Sequence, residues 1–150
     1  MMRDHWTDPS LRLVLTGSPG VAERVVTACD DPRVVRLGRV SAADRNGLVA
    51  MSMAMVFPSQ YEGFGAPLIE AMTLGAPVIC NDATCMPQIV GDAGLVRPLR
   101  PEAWADALDE VQRRREELVA AGHRRAGDFT SKASGAALAA AYHRALERVG

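Results

Sequence analysis

The feature that most constrains this chain is an alternation: short runs of Val, Leu, Ile and Met recur between segments of helical spacing from Leu11 to Arg97. "LRLVLTG", "RVVRLG", "MAMVFPS", "PVICN" and a weaker "GLVRP" read as strands, and several stop at Gly or Pro. The runs are nearly continuous rather than strictly alternating, the pattern of strands covered on both faces. Between them, Val21 to Cys29, Ala42 to about Met51 and Pro67 to Leu74 read as helices, with a helical turn around Met86 to Val90. Ser41 supplies an N-cap for the second of these, while Pro67 at a first position and Gly75 just past an end punctuate the third. Strands alternating with helices predict an α/β fold: a Rossmann-like parallel sheet of about five strands, helices on both faces, wound by right-handed crossovers. From Pro101 the chain turns to Ala, Arg and Glu, predicting two surface helices, Glu102 to Ala120 and Ser134 to Val149, separated by Gly122 and "AGDFTS". The run "QRRREE" between Gln112 and Glu117 is a solvated face whose ion pairs contribute little.

A chain of 150 residues, 48% hydrophobic and 23% charged, suits a single domain over residues 1–150, with 101–150 as its helical tail. A fold of that size buries roughly 68 to 70% of its unfolded surface and needs neither disulfide nor metal to hold it. Cys29, Cys80 and Cys85 have no zinc-type or redox-type spacing, and fit buried or spare thiols in a reducing cytoplasm. A formal net charge of -1, with acids and bases scattered, gives no field for nucleic acid. The N-terminus "MMRDHWTDPS" has no apolar core of a leader, and nowhere do 18 uncharged apolar residues run together, so no transmembrane segment is expected.

The chemistry concentrates in "PSQYEGFGAPLIEAMTLGAPVICND", Pro58 to Asp82. Ligands of open parallel sheets bind outside the carboxyl ends of the strands, where loops enter helix N-termini. After "MAMVF" comes such a loop, in which Gly63 and Gly65 let backbone approach a ligand, followed by a helix start that favours phosphate. Pro67 lacks an N–H, so the amides of Phe64, Gly65, Ala66 and Leu68 are the candidate donors. Glu70 falls between Leu68-Ile69 and Ala71-Met72 and is expected near buried surface, where an unpaired carboxylate is costly. It either supports the helix start or accepts from a vicinal diol such as a ribose. Glu62 is either an exposed loop acid or an acceptor for hydroxyls of a second ring nearer the phosphate.

Glu62 and Glu70 in the frame E-G-F-G-x-P-x-x-E-A-M resemble the signature of family 4 retaining glycosyltransferases of the GT-B architecture. The likeness continues through "LGAPVIC", "MPQIVGDAGLV" and, upstream, "VVRLGRVSAADRNGLVAMSMAMVFPS". It covers roughly Leu11 to Arg97. The resemblance implies transfer of a hexose from a nucleotide-diphospho-sugar to an acceptor hydroxyl, with retention at the anomeric carbon. It implies that Glu70 binds the donor ribose and that Glu62, as the catalytic carboxylate, meets the transferred sugar. Gly63, Phe64, Gly65, Ala66 and Leu68 would serve the sugar hydroxyls and pyrophosphate, and Leu37, Gly38 and Arg39 would lie against the nucleobase. No metal or other cofactor is implied.

Gln88 stands where the family usually has glutamate. The family's acceptor-binding domain, and a first β-α unit carrying Gly-Arg and a Lys, have no counterpart in this sequence. The chain therefore reads as a C-terminal donor-binding half, with an N-terminal acceptor domain or another chain as the partner that completes it. The missing strand would lie between "LRLVLT" and "MAMVF", so those two either close up on each other or receive a strand from elsewhere. The expected location is cytoplasmic, the missing domain being the part that would reach the inner membrane surface. A nonenzymatic nucleotide-binding module is the alternative reading. A dinucleotide domain is disfavoured, because "TGSPG" is not G-x-G-x-x-G.

Overall fold

The computed structural model describes residue 5, residues 8–18 and residues 30–148. Strands form where the apolar runs predict them: β1 Leu13–Thr16, β2 Val34–Gly38, β3 Met55–Phe57, β4 Val78–Asn81 and β5 Leu95–Arg97. The helices are α1 Ala42–Met51, α2 Ala66–Thr73, α3 Met86–Val90, α4 Pro101–Ala126 and α5 Ser131–Glu147. The helix expected over Val21 to Cys29, and Cys29 with it, lie outside the described residues.

Strand β4 explains the continuous apolar run "PVIC". All of its residues are buried, because successive side chains enter opposite cores. Val78 and Cys80 meet Leu68, Ala71 and Met72 of α2 and Met86 and Val90 of α3. Ile79 joins Leu95 of β5 and Trp104, Ala107, Val111 and Leu118 of α4 on the other side. Each fully buried Leu, Ile, Val or Met contributes about 1.5–3 kcal/mol. The indole of Trp104 donates to the Pro98 carbonyl at 2.9 Å, so its burial strands no polar group.

The helix ends follow the sequence closely. Ser41 caps α1, its hydroxyl accepting from the Asp44 N–H at 3.1 Å. Helix α2 ends in a Schellman turn: Gly75 at φ 78 donates to Met72, and Ala76 donates to Ala71. The tail differs from expectation. Helix α4 runs on to Ala126 across a break at Arg114 (φ -113, ψ 17), and Gly122, expected between helices, is buried inside it. A Cβ on Gly122 would stand 3.3 Å from the Met72 Cγ, so the glycine is there to let α4 close on α2. Helix α5 keeps the expected exposed character and has no buried residue.

The sheet differs as well. All pairing is parallel, but the five strands form two sheets, β1-β2 and β3-β4-β5, rather than one. Among the described residues no ladder bond joins β1 to β3, so the two strands do not close up on each other. The consequence shows in burial: Val14 of β1 is 41% exposed and Leu37 of β2 is 44% exposed, while β4 is sealed. Among the described residues no helix is long and apolar enough to cross a membrane.

Candidate functional site

The loop from Pro58 to Gly65 leaves the carboxyl end of β3 and enters α2. It makes few backbone bonds of its own, and side chains at the end of β4 hold it instead. Buried Asn81 donates from Nδ2 to the Ser59 carbonyl at 3.0 Å. Thr84 Oγ1 accepts from the Glu62 N–H at 3.3 Å, and the Cys85 thiol donates to the Glu62 carbonyl at 3.3 Å.

At the mouth of α2, Gly65 takes the left-handed conformation, φ 81, and serves as N-cap without any side-chain bond. That geometry needs glycine. Among the described residues, the N–H groups of Phe64, Gly65 and Ala66 donate to no protein acceptor. Leu68 corrects the sequence expectation: its N–H already donates to the Gly65 carbonyl at 3.0 Å and its side chain is buried, so it is not a free donor. A carbonyl that turns back at the first turn has used the fourth amide.

Glu70 also corrects the expectation. The core face of α2 is Leu68, Ala71 and Met72, and Glu70 lies off that face with its side chain 53% exposed. The carboxylate is not buried, and its partner is Arg45 of α1, with Nη2 3.3 Å from Oε2. Burial therefore does not explain a charge in this apolar stretch. Glu62 is half-buried, and its carboxylate takes no hydrogen bond from the described residues.

A groove of about 810 Å³ runs along the exposed face of α2, lined by Phe64, Ala66, Ile69, Glu70 and Thr73, with Arg45 on one side and Phe129 and Thr130 on the other. Phe64 packs edge-on to Phe129, centroids 6.1 Å apart, and Arg125 covers the Phe129 ring at 4.8 Å. The groove brings together Glu70, Phe64 and Ala66 of the expected set. Glu62, Gly63 and Gly65 sit beside it on the same loop without lining it. Leu37, Gly38 and Arg39 do not line it either. Leu37 and Gly38 end β2 in the other sheet and Arg39 follows it; there the Gly38 carbonyl accepts from the Gly17 N–H at 2.7 Å and Arg39 donates to Ser18 at 3.3 Å. Their link to the groove is α1, which starts just after them and carries Arg45.

Sequence reasoning missed Arg45, Phe129, Asn81, Thr84 and Cys85. Asn81 had a signal, a carboxamide ending an otherwise apolar strand; Arg45 and Phe129 had none. Gln88 is exposed, and its carbonyl accepts from Arg125 Nη2 at 2.6 Å. Among the described residues no three His, Cys, Asp or Glu side chains gather as a metal site.

Comparison with known proteins gives a consistent result. The family described as "Glycosyl transferases group 1" matches residues 2–114. O-antigen chain mannosyltransferase B of Escherichia coli is 52% identical over 60 residues, 40% of this chain and 16% of that protein. The MMP alpha-(1->4)-mannosyltransferase of Mycolicibacterium hassiacum is 30% identical over 152 aligned residues, 95% of this chain and 37% of that protein. The chain thus spans well under half the length of these relatives. Among solved structures, sucrose-phosphate synthase from Thermosynechococcus elongatus has a similar fold, with a TM-score of 0.70 at 22% identity over 93% of this chain and 39% of that one. A GtfA/B complex gives 0.72 at 19% identity over 99% of this chain and 31% of that one.

Proposed function

The chain belongs to the group 1 glycosyl transferases, with the C-terminal-type domain of the GT-B fold, and from that premise we propose that its β3-α2 loop binds a nucleotide-diphospho-sugar for retaining transfer of a hexose. The observation that carries this reading is the set of unbonded N–H groups on Phe64, Gly65 and Ala66 at a helix mouth, flanked by Glu62 and Glu70. Oriented amides and the helix dipole favour a diphosphate there. Glu70 offers its carboxylate to the ribose diol, with Oε1 free of the Arg45 pair. Glu62 accepts from hydroxyls of the transferred sugar, Gly63 allows the backbone to approach it, and Leu37, Gly38 and Arg39 meet the nucleobase.

In the reaction, the bond from the anomeric carbon to the diphosphate breaks and its electron pair leaves with the phosphate oxygen. The acceptor hydroxyl forms the new bond on the same face, and its proton passes to the departing phosphate oxygen. Amides fixed around the diphosphate stabilise the charge that grows on it, and losing one such donor can cost on the order of 100-fold in rate. No metal or cofactor has a role in this reading. The relatives named mannosyltransferases favour mannose as the hexose. The acceptor half would come from an N-terminal domain or another chain, and catalysis would be cytoplasmic. The separation of β1-β2 from β3-β4-β5 favours a second reading, a nucleotide-binding module that requires a partner half.

Calorimetry with GDP, UDP and ADP tests the site. Glu70→Ala should lose hydrogen bonds to a charged group, about 1.5–3 kcal/mol or about 10- to 150-fold in affinity. Stability should change by no more than about 1 kcal/mol, because the Arg45 pair is exposed. A folded chain that binds none of the three at millimolar concentration would refute the site.

A further inference from the structure

We propose that Thr84 is a positioning residue for Glu62, an inference that rests on reading Glu62 as the group that meets the transferred sugar. Among the described residues Thr84 is the one non-glycine residue with positive φ, at 52°. A β-branched residue is a poor choice for that conformation, since its Cβ crowds the backbone that Gly or Asn would relieve. Its side chain is exposed, so burial gives nothing in return. A strained residue at an exposed turn calls for some other use of its side chain.

The use is visible in what the turn holds. Thr84 Oγ1 accepts from the N–H of Glu62, and the next residue, Cys85, donates its thiol to the carbonyl of the same Glu62. Adjacent residues of the β4-α3 turn therefore grip both polar groups of one residue in the β3-α2 loop. Among the described residues no backbone–backbone bond orders Glu62 in their place. The Glu62 side chain projects from the Cα between these two gripped groups, so their hold sets the direction of its Cα–Cβ bond. Buried Asn81 anchors the start of the same loop through Ser59, which leaves Thr84 and Cys85 to set its local rotation.

A residue that merely braced the fold would lose stability and binding together. A positioning residue under strain should separate them. Thr84→Gly relaxes the left-handed backbone and removes Oγ1; Thr84→Ser keeps an Oγ acceptor and serves as the rescue. Both variants of the full chain are followed by thermal denaturation, by amide hydrogen exchange at Glu62, and by calorimetry with GDP and GDP-mannose. For Thr84→Gly the melting temperature should hold or rise, the Glu62 amide should exchange faster, and GDP affinity should stay unchanged. Its GDP-mannose affinity should fall about three- to tenfold, the worth of a modest hydrogen-bond network. Thr84→Ser should match the unsubstituted chain in all four. The proposal is overturned if Thr84→Gly leaves Glu62 exchange and GDP-mannose affinity unchanged, or if stability and affinity for both ligands drop in step. If the unsubstituted chain binds neither ligand, the reading of the site fails and the sugar-positioning role falls with it; Glu62 exchange then still decides whether Thr84 orders the loop.

Discussion

Gly94 offers the sharpest test of how the site's platform is built. It lies in "GDAG", the stretch that most resembles a glycosyltransferase signature after the Glu62 loop, yet its surroundings give it a packing role. A Cβ placed on it would stand 2.4 Å from Val78 Cγ2, 2.6 Å from Val90 Cγ1 and 2.9 Å from the Val78 carbonyl oxygen. Val78 and Val90 are fully buried, so neither side chain can swing into solvent, and the carbonyl belongs to β4 itself. For Gly94→Ala, therefore, β5 or α3 must move away from β4. Overpacking of this kind costs about 1–3 kcal/mol, and backbone among the clashing atoms puts the expected loss at about 2–3. For a domain of this size that lowers the melting temperature by about 5–10 °C. Thermal denaturation followed by circular dichroism reads it directly. Adding Val78→Ala removes the nearest clash and should recover little, because the Val90 and carbonyl contacts remain and a cavity opens. A Gly94→Ala variant as stable as the parent would refute the close approach of β5 to β4 and α3.

Burial, with Asp82 adding to it, pushes the Cys80 thiol from 9.0 up to about 11. Because the folded pKa is the raised one, its contribution to stability is complete below about pH 9 and is lost as pH climbs toward 11. Denaturant midpoints should fall across that window, and Cys80→Ala should flatten the fall; an unchanged slope would refute the assignment. The division of the sheet predicts unequal protection. Amides of Leu13–Thr16 and Val34–Gly38 should exchange by local opening, and those of Val78–Asn81 only on global unfolding. Equal protection in the two sets would show that the strands act as one sheet.

The fold was legible in the sequence wherever local chemistry decided it. Apolar runs marked all five strands, Ser41 marked the start of α1, and Gly75 marked the end of α2. Two features were not legible because distant groups decide them. Gly122 looks like a helix breaker in sequence, and only the nearness of Met72 turns it into a contact point between helices. The family resemblance placed a strand between β1 and β3, and whether those two would instead close on each other was not legible, because strand pairing depends on neighbours in space.

The candidate site divides along the same line, and the division says something about how such sites are specified. The motif identifies the ligand-facing groups: two carboxylates, a glycine at φ 81, and amides that a helix start leaves unpaired. It does not identify what aims them. Glu70 rides on α2, and packing of Leu68, Ala71 and Met72 fixes its direction, so a helical register is enough to orient it. Glu62 stands on a loop with no such register. Its orientation comes from residues 22 and 23 positions further along the chain, at a turn whose residue types carry no signature. Substitutions at Thr84 or Cys85 should therefore act on Glu62 more than on Glu70, although all four residues lie within one short stretch of sequence. The charge of Glu70 in an otherwise apolar stretch of helix is explained on the same grounds: α2 buries one side only, and Glu70 occupies the side left to the groove.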